Sequence, residues 1–107
     1  MVSFSDWEKI ELKTAKILGV EDIEGKDKLY KLKISLGEEE RTLVAGIKPF
    51  YEKEELEGKT IIVVANLEPA KIAGIESQGM LLAVEDKDGK YSLLTTDREV
   101  EAGKKAE

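Results

Sequence analysis

At 107 residues and 41% hydrophobic side chains, the chain has the size of one domain with a modest core, and its apolar runs are too interrupted for a membrane span. It contains no cysteine and no histidine, which excludes disulfides, thiolate catalysis and Cys-based zinc sites and removes the commonest general base and transition-metal ligand. The formal charge of −6 runs against a generic nucleic-acid binder, yet residues 1–36 hold seven lysines against seven acids while residues 37–107 hold ten basic against sixteen acidic groups, so a local basic stripe can persist in an acidic whole.

Ser5-Asp-Trp-Glu8 reads as a capping box and predicts a short helix or turn over about 5–10, with Trp7 packed on the strands of the fold. From Ile10 the pattern alternates, and the change of phase between Leu12 and Ala15 predicts a bulge there. Glu24 to Asp27 is a turn. Leu29 to Leu36 then alternates, with Tyr30, Leu32, Ile34 and Leu36 on one face and Lys31 and Lys33 on the other. Gly37 with Glu38 to Glu40 closes a hairpin, and Arg41 to Ala45 is the return strand. Pro49 to Leu56 is predicted as a short helix, stopped by Gly58. Thr60 to Ala65 is the fourth strand, Pro69 to Ile75 a loop or short ribbon, and Met80 to Glu85 the fifth strand. Asp86 to Gly89 is a tight turn into a strand over Lys90 to Leu94, and the polar segment from Thr95 is either an ordered edge or a tail.

Three strands, a short helix and two further strands give an all-β fold with the element order of an OB-fold, a five-stranded Greek-key barrel. The chain reads as a single domain over 1–107: a barrel over about 10–85 and a C-terminal extension with added strands over about 86–107.

Four stretches carry a resemblance. They are Asp27-Lys-Leu-Tyr30, Arg41-Thr-Leu-Val-Ala-Gly-Ile47, Leu56-Glu-Gly-Lys59, and the run Asn66-Leu-Glu-Pro-Ala-Lys-Ile-Ala-Gly-Ile-Glu-Ser-Gln-Gly-Met80. Together they resemble the tRNA-binding OB-fold domain family, whose members are appended to methionyl-tRNA synthetases or stand alone as small chains. The last run is the specific one. The chain departs from the family where Ile23-Glu-Gly-Lys26 precedes Asp27 and where Glu68 stands in place of a basic residue. The resemblance implies a non-catalytic module that binds tRNA by shape at its outer corner, forms homodimers and serves a methionyl-tRNA synthetase body. An export-chaperone group shares the signature, which leaves open a peptide binder, or a dimerisation module with little tRNA affinity.

Lys28, Lys31, Lys33 and Arg41 lie on the second and third strands, the usual ligand surface of this barrel. They either neutralise phosphates or solvate a strand face and block edge pairing. Ser77 and Gln78 sit in the loop after the fourth strand, where Ser77 is placed to donate to a phosphate or a 2′-hydroxyl. Gly79 either offers a free N–H or makes a turn, and Met80 packs either on a base or in the core. Asn66 either bridges a turn or touches RNA, and Lys71 is the cation of the same connection. With few aromatics, single-strand stacking is disfavoured and Tyr30 belongs to the core. Leu82, Val84, Leu93, Leu94 and Val100 are the candidate dimer interface, since the family builds it beyond the core barrel. No catalytic constellation, metal site or cofactor is expected.

The Lys/Glu-rich composition, with Asn66 and Gln78 as the only side-chain amides, is that of a hyperthermophile protein. No signal-peptide pattern opens the chain, so a cytoplasmic location is expected.

Overall fold

The alternation of Tyr30, Leu32, Ile34 and Leu36 with charged neighbours makes one face of a strand apolar, and the computed structural model, which describes all of residues 1–107, closes a barrel on that face. In chain order come α1 (Phe4–Trp7), β1 (Leu12–Ile23), β2 (Lys26–Ser35), β3 (Glu40–Ala45), α2 (Lys53–Leu56), β4 (Thr60–Val64), β5 (Ala70–Ile72), β6 (Ile75–Ser77), β7 (Met80–Leu81), β8 (Ala83–Glu85) and β9 (Tyr91–Leu93). The main sheet runs β3-β2-β1-β4-β7, all antiparallel, with β5-β6 and β8-β9 as separate hairpins. This is the OB-type barrel that the element order predicts. Ile17, Leu32, Ile34, Leu43, Ile61 and Val63 fill it, and the fully buried Leu56 of α2 joins the same core.

The bulge lies later in β1 than the phase change suggests. Leu12 to Lys16 pair without interruption with Val64 to Thr60. The irregularity falls at Leu18, between the pairs Ile17↔Ile34 and Gly19↔Lys33. Ala15 and Ile17 point inward before it and Val20 after it, which leaves Gly19 and Glu21 on the outer face beside Lys33 and Lys31. The apparent phase change has another cause: Thr14 faces outward and is buried by the C-terminal segment. Its N–H donates to the Lys104 carbonyl at 2.8 Å and its hydroxyl to the Glu101 carbonyl at 2.7 Å. The segment from Thr95 is therefore ordered, running antiparallel to the start of β1 along the stretch that β2 does not reach.

Four smaller expectations are corrected. α1 is capped by Ser3 rather than Ser5, because the Asp6 N–H reaches the Ser3 hydroxyl at 3.2 Å. It buries none of its residues, so Trp7 stays 38% exposed. α2 begins at Lys53, after turns at 48–50, rather than at Pro49. The fifth strand is split at Leu82, where Met80–Leu81 pair with β4 and Ala83–Glu85 turn away to pair with β9. No helix is long and apolar enough to cross a membrane.

Candidate nucleic-acid interface

Strand parity puts Lys31 and Lys33 side by side on the outer face of β2, opposite Val44 and Thr42 of β3 and opposite Glu21 and Gly19 of β1. A depression of about 500 Å³ opens over this patch, lined by Gly19, Glu21, Lys31, Lys33, Thr42 and Glu57 among others. Nothing stands within 4 Å of where a Gly19 side chain would begin, so the absent side chain leaves the floor open. Both lysines are engaged at the surface: Lys31 Nζ lies 3.6 Å from Glu21 and Lys33 Nζ 3.5 Å from Glu40. Exposed pairs of this kind are worth at most ~1 kcal/mol and exchange readily for a phosphate. Sequence reasoning missed Gly19 and Thr42 as lining residues, and the signal for Gly19 depended on locating the bulge.

Two other cations lie outside this depression. Lys28 is exposed at the head of β2, where its carbonyl accepts the Lys48 N–H. Lys71 is exposed on β5, opposite Glu76. Neither forms an ion pair.

The remaining polar candidates all bond within the barrel. Ser77 is 3% exposed: its Oγ accepts the Val44 N–H at 3.0 Å and its hydroxyl faces the Gly79 carbonyl at 3.3 Å. The hydroxyl expected to donate to RNA is thus enclosed between β3 and the turn at Gly79. Gln78 donates its N–H to the Thr42 carbonyl at 2.8 Å, and its Oε1 accepts the Thr42 N–H at 3.0 Å. The Arg41 guanidinium donates to the carbonyls of Ala65 and Gln78 and pairs with Glu39 at 2.9 Å, holding the Glu39 carboxyl below the usual carboxylate range. Arg41 therefore braces the barrel end rather than offering a free cation. Asn66 spans a turn: its Oδ1 accepts the Glu11 N–H at 2.9 Å and its Nδ2 donates to the Lys9 carbonyl at 2.6 Å. Arg41, Asn66 and Gln78 line a second depression of about 430 Å³ together with Glu39, the partner of Arg41, and Glu68.

Gly79 turns the chain from β6 into β7. Its φ is +130°, and a Cβ there would stand 2.9 Å from the Val64 carbonyl, a contact that only glycine avoids. Met80 follows with its side chain 49% exposed while Leu81 packs on the core. Among residues 77–80, Met80 is the one whose side chain is exposed.

The dimer candidates divide in the same way. Leu93 is 8% exposed and belongs to the chain's own core. Leu82 and Leu94 are half-buried and joined by a 3.0 Å bond from the Leu94 N–H to the Leu82 carbonyl. Val100 is half-buried beside a depression that also contains Lys16 and Glu99. Val84 stands 60% exposed on β8, opposite Ser92, whereas Tyr91 lies on the other face of this hairpin, where its ring meets Phe50 edge-on at 5.2 Å.

Comparison with known proteins agrees with this architecture. Residues 12–105 match the family described as "Putative tRNA binding domain". The chain is 51% identical over 104 residues to a methionine–tRNA ligase of Caldanaerobacter subterraneus subsp. tengcongensis, covering 97% of this chain and 16% of that protein. Among solved structures, it is similar to a MetRS-related protein from Pyrococcus horikoshii, with a TM-score of 0.92, 40% identity and coverage of 99% and 97% of the two chains. It is also similar to a CsaA chaperone protein from Picrophilus torridus, with a TM-score of 0.91, 35% identity and full coverage of both. The chain thus spans about a sixth of the length of the ligase it matches and nearly all of the small chains. With almost its full length matched, the chain belongs to the tRNA-binding domain family.

Proposed function

We propose that this domain binds tRNA without catalysing a reaction on it, and that it does so with the outer face of β1–β2–β3. The observation that carries this reading is the adjacency of Lys31 and Lys33 over an open floor at Gly19, on a chain of this family. Lys28, Lys71 and Met80 extend the contact at its margins. Phosphate neutralisation supplies the affinity, and the scarcity of aromatics suits recognition of a folded backbone rather than of stacked bases. The methionine–tRNA ligases that share this region suggest its use: raising the grip of a methionyl-tRNA synthetase body on its tRNA.

A titration with tRNA between about 50 and 200 mM salt tests the reading. Affinity falls with salt along a straight log–log line, and Lys31→Ala or Lys33→Ala lowers the slope by about one unit each. No binding at the lowest salt by the folded chain overturns it.

A homodimer is the second reading, and the exposed Val84 favours it. The interface we propose centres on Val84, with Leu82 and Leu94 on the same face of the β8–β9 hairpin and Val100 beyond them. Val84→Glu then shifts the sedimentation coefficient from dimer to monomer. A wild-type chain that sediments as a monomer at micromolar concentration removes this reading and leaves the first intact. The likeness to a chaperone makes peptide capture a third outcome, supported if the chain suppresses aggregation of an unfolded protein yet ignores tRNA.

A further inference from the structure

The barrel is shut by side chains. β3 is an edge strand of the main sheet, and its Thr42 and Val44 N–H groups point away from β2 toward the loop that follows β6. In a regular antiparallel ladder, successive pairs step by two residues on both strands. Here β3 steps by two, from Thr42 to Val44, while the facing segment steps by one, from Gln78 to Ser77. Backbone carbonyls of adjacent residues point to opposite sides and cannot both serve. Gln78 Oε1 and Ser77 Oγ stand in for them, and the Gln78 N–H completes the two-bond exchange with Thr42. Immediately afterwards Gly79 turns and β7 pairs with β4. Residues 77–81 thus join the two free edges of the barrel. They also link the β5–β6 hairpin, which holds Lys71, to Thr42, the β3 partner of Lys33 in the lysine depression.

We propose that Ser77 and Gln78 are positioning residues for RNA recognition, a seam that fixes the β5–β6 hairpin and Met80 relative to the Lys31–Lys33 patch. They set affinity through that geometry and not through contact with a phosphate. The inference rests on the tRNA-binding reading above. Ser77 is enclosed, and both side-chain oxygens are spent on β3 amides that have no other partner. Removing either oxygen leaves an edge N–H unpaired and loosens the strap across the β3 edge.

The test uses Ser77→Ala, Gln78→Ala and Gln78→Glu, read by amide hydrogen exchange in the RNA-free chain and by tRNA titration across salt. Gln78→Glu keeps an acceptor oxygen. Exchange of the Val44 amide accelerates on the order of tenfold in Ser77→Ala, that of Thr42 does so in Gln78→Ala, and Gln78→Glu retains Thr42 protection. Both alanine variants bind tRNA several-fold more weakly at every salt concentration while keeping the wild-type salt slope, in contrast to the loss of about one unit in Lys31→Ala. The proposal is overturned if Ser77→Ala loses a unit of slope with Val44 still protected, since that is the signature of direct phosphate contact. It is equally overturned if the amides open and affinity is unchanged, or if neither amide responds. Should Ser77→Ala fail to fold, the half-exposed Gln78 carries the comparison. A wild-type chain that binds no tRNA at the lowest salt defeats the binding reading and the affinity half of this inference, while the exchange data still decide the seam.

Discussion

The Tyr30 hydroxyl donates to the Tyr51 carbonyl at 2.8 Å, pinning the stretch before α2 to the inner face of β2. Tyr51 passes the link on, because its own hydroxyl accepts the Leu93 N–H at 3.0 Å. Two phenols therefore connect β2, the approach to α2 and β9. Tyr30→Phe keeps the ring in its buried place and removes one donor, leaving the Tyr51 carbonyl unpaired. The expected cost is about 1–3 kcal/mol, read as a lower urea midpoint at unchanged slope. A variant as stable as wild type would mean that the bond contributes nothing net.

Gly103 sets a second limit. Its φ is +86°, and a Cβ there would collide with the Leu36 carbonyl oxygen, with backbone on both sides of the clash. Gly103→Ala forces the C-terminal segment off β1 and opens the cover over Thr14. Faster exchange of the Thr14 and Ala106 amides, with the core strands still protected, is the expected pattern, and destabilisation of about 1–3 kcal/mol accompanies it.

Acid acts on α2 through Asp22. Its carboxylate takes a 2.7 Å bond from Lys53 and lies 2.9 Å from Lys48, and these partners, Lys53 foremost, hold its carboxyl below the usual carboxylate range. Lys53 is correspondingly raised by Asp22. The folded chain thus binds this proton less readily than the unfolded one. The contribution is fully present above the ordinary carboxylate pKa and is lost as the pH falls through the depressed value. Carboxyl NMR should find Asp22 titrating below an unperturbed aspartate, and Asp22→Asn should flatten the fall of melting temperature on acidification.

The acids beside the lysine patch restrain it. Glu21→Gln frees Lys31 from its partner 3.6 Å away and removes a negative charge from the depression. We expect tRNA affinity to rise, by up to about fivefold, the ceiling set by an exposed pair worth ~1 kcal/mol. Electrophoretic mobility shifts at moderate salt would detect it, and an unchanged affinity would place the RNA elsewhere on the surface.

Legibility in the sequence followed the type of interaction. The barrel was readable because Tyr30, Leu32, Ile34 and Leu36 alternate with polar residues, and because Gly37, Gly58 and Gly89 punctuate the elements. Parity also placed Lys31 and Lys33 on a common outer face. The features that escaped were non-local. The burial of Thr14 depends on residues some ninety positions away. The place of the bulge depends on which residue of β2 meets Gly19. Above all, a small polar pair in a glycine-bounded loop looks the same in sequence whether it faces a ligand or replaces a strand, and at Ser77 the enclosing strand comes from residue 44.

The two chain ends share one corner of the barrel. Asn66 ties down Lys9 and Glu11, and the Ala106 N–H donates to the Leu12 carbonyl at 2.8 Å, so residues 9–12 and 104–106 run side by side at the start of β1. Gly19 and Glu21, with the lysine patch, lie farther along the same strand. A fusion made at either end, or an insertion of the whole unit into a host loop, therefore enters and leaves by one doorway, at the other end of β1 from the lysine patch. For an engineer, the domain is a cassette: both tethering points lie at one end of β1, away from the lysine depression proposed to take RNA.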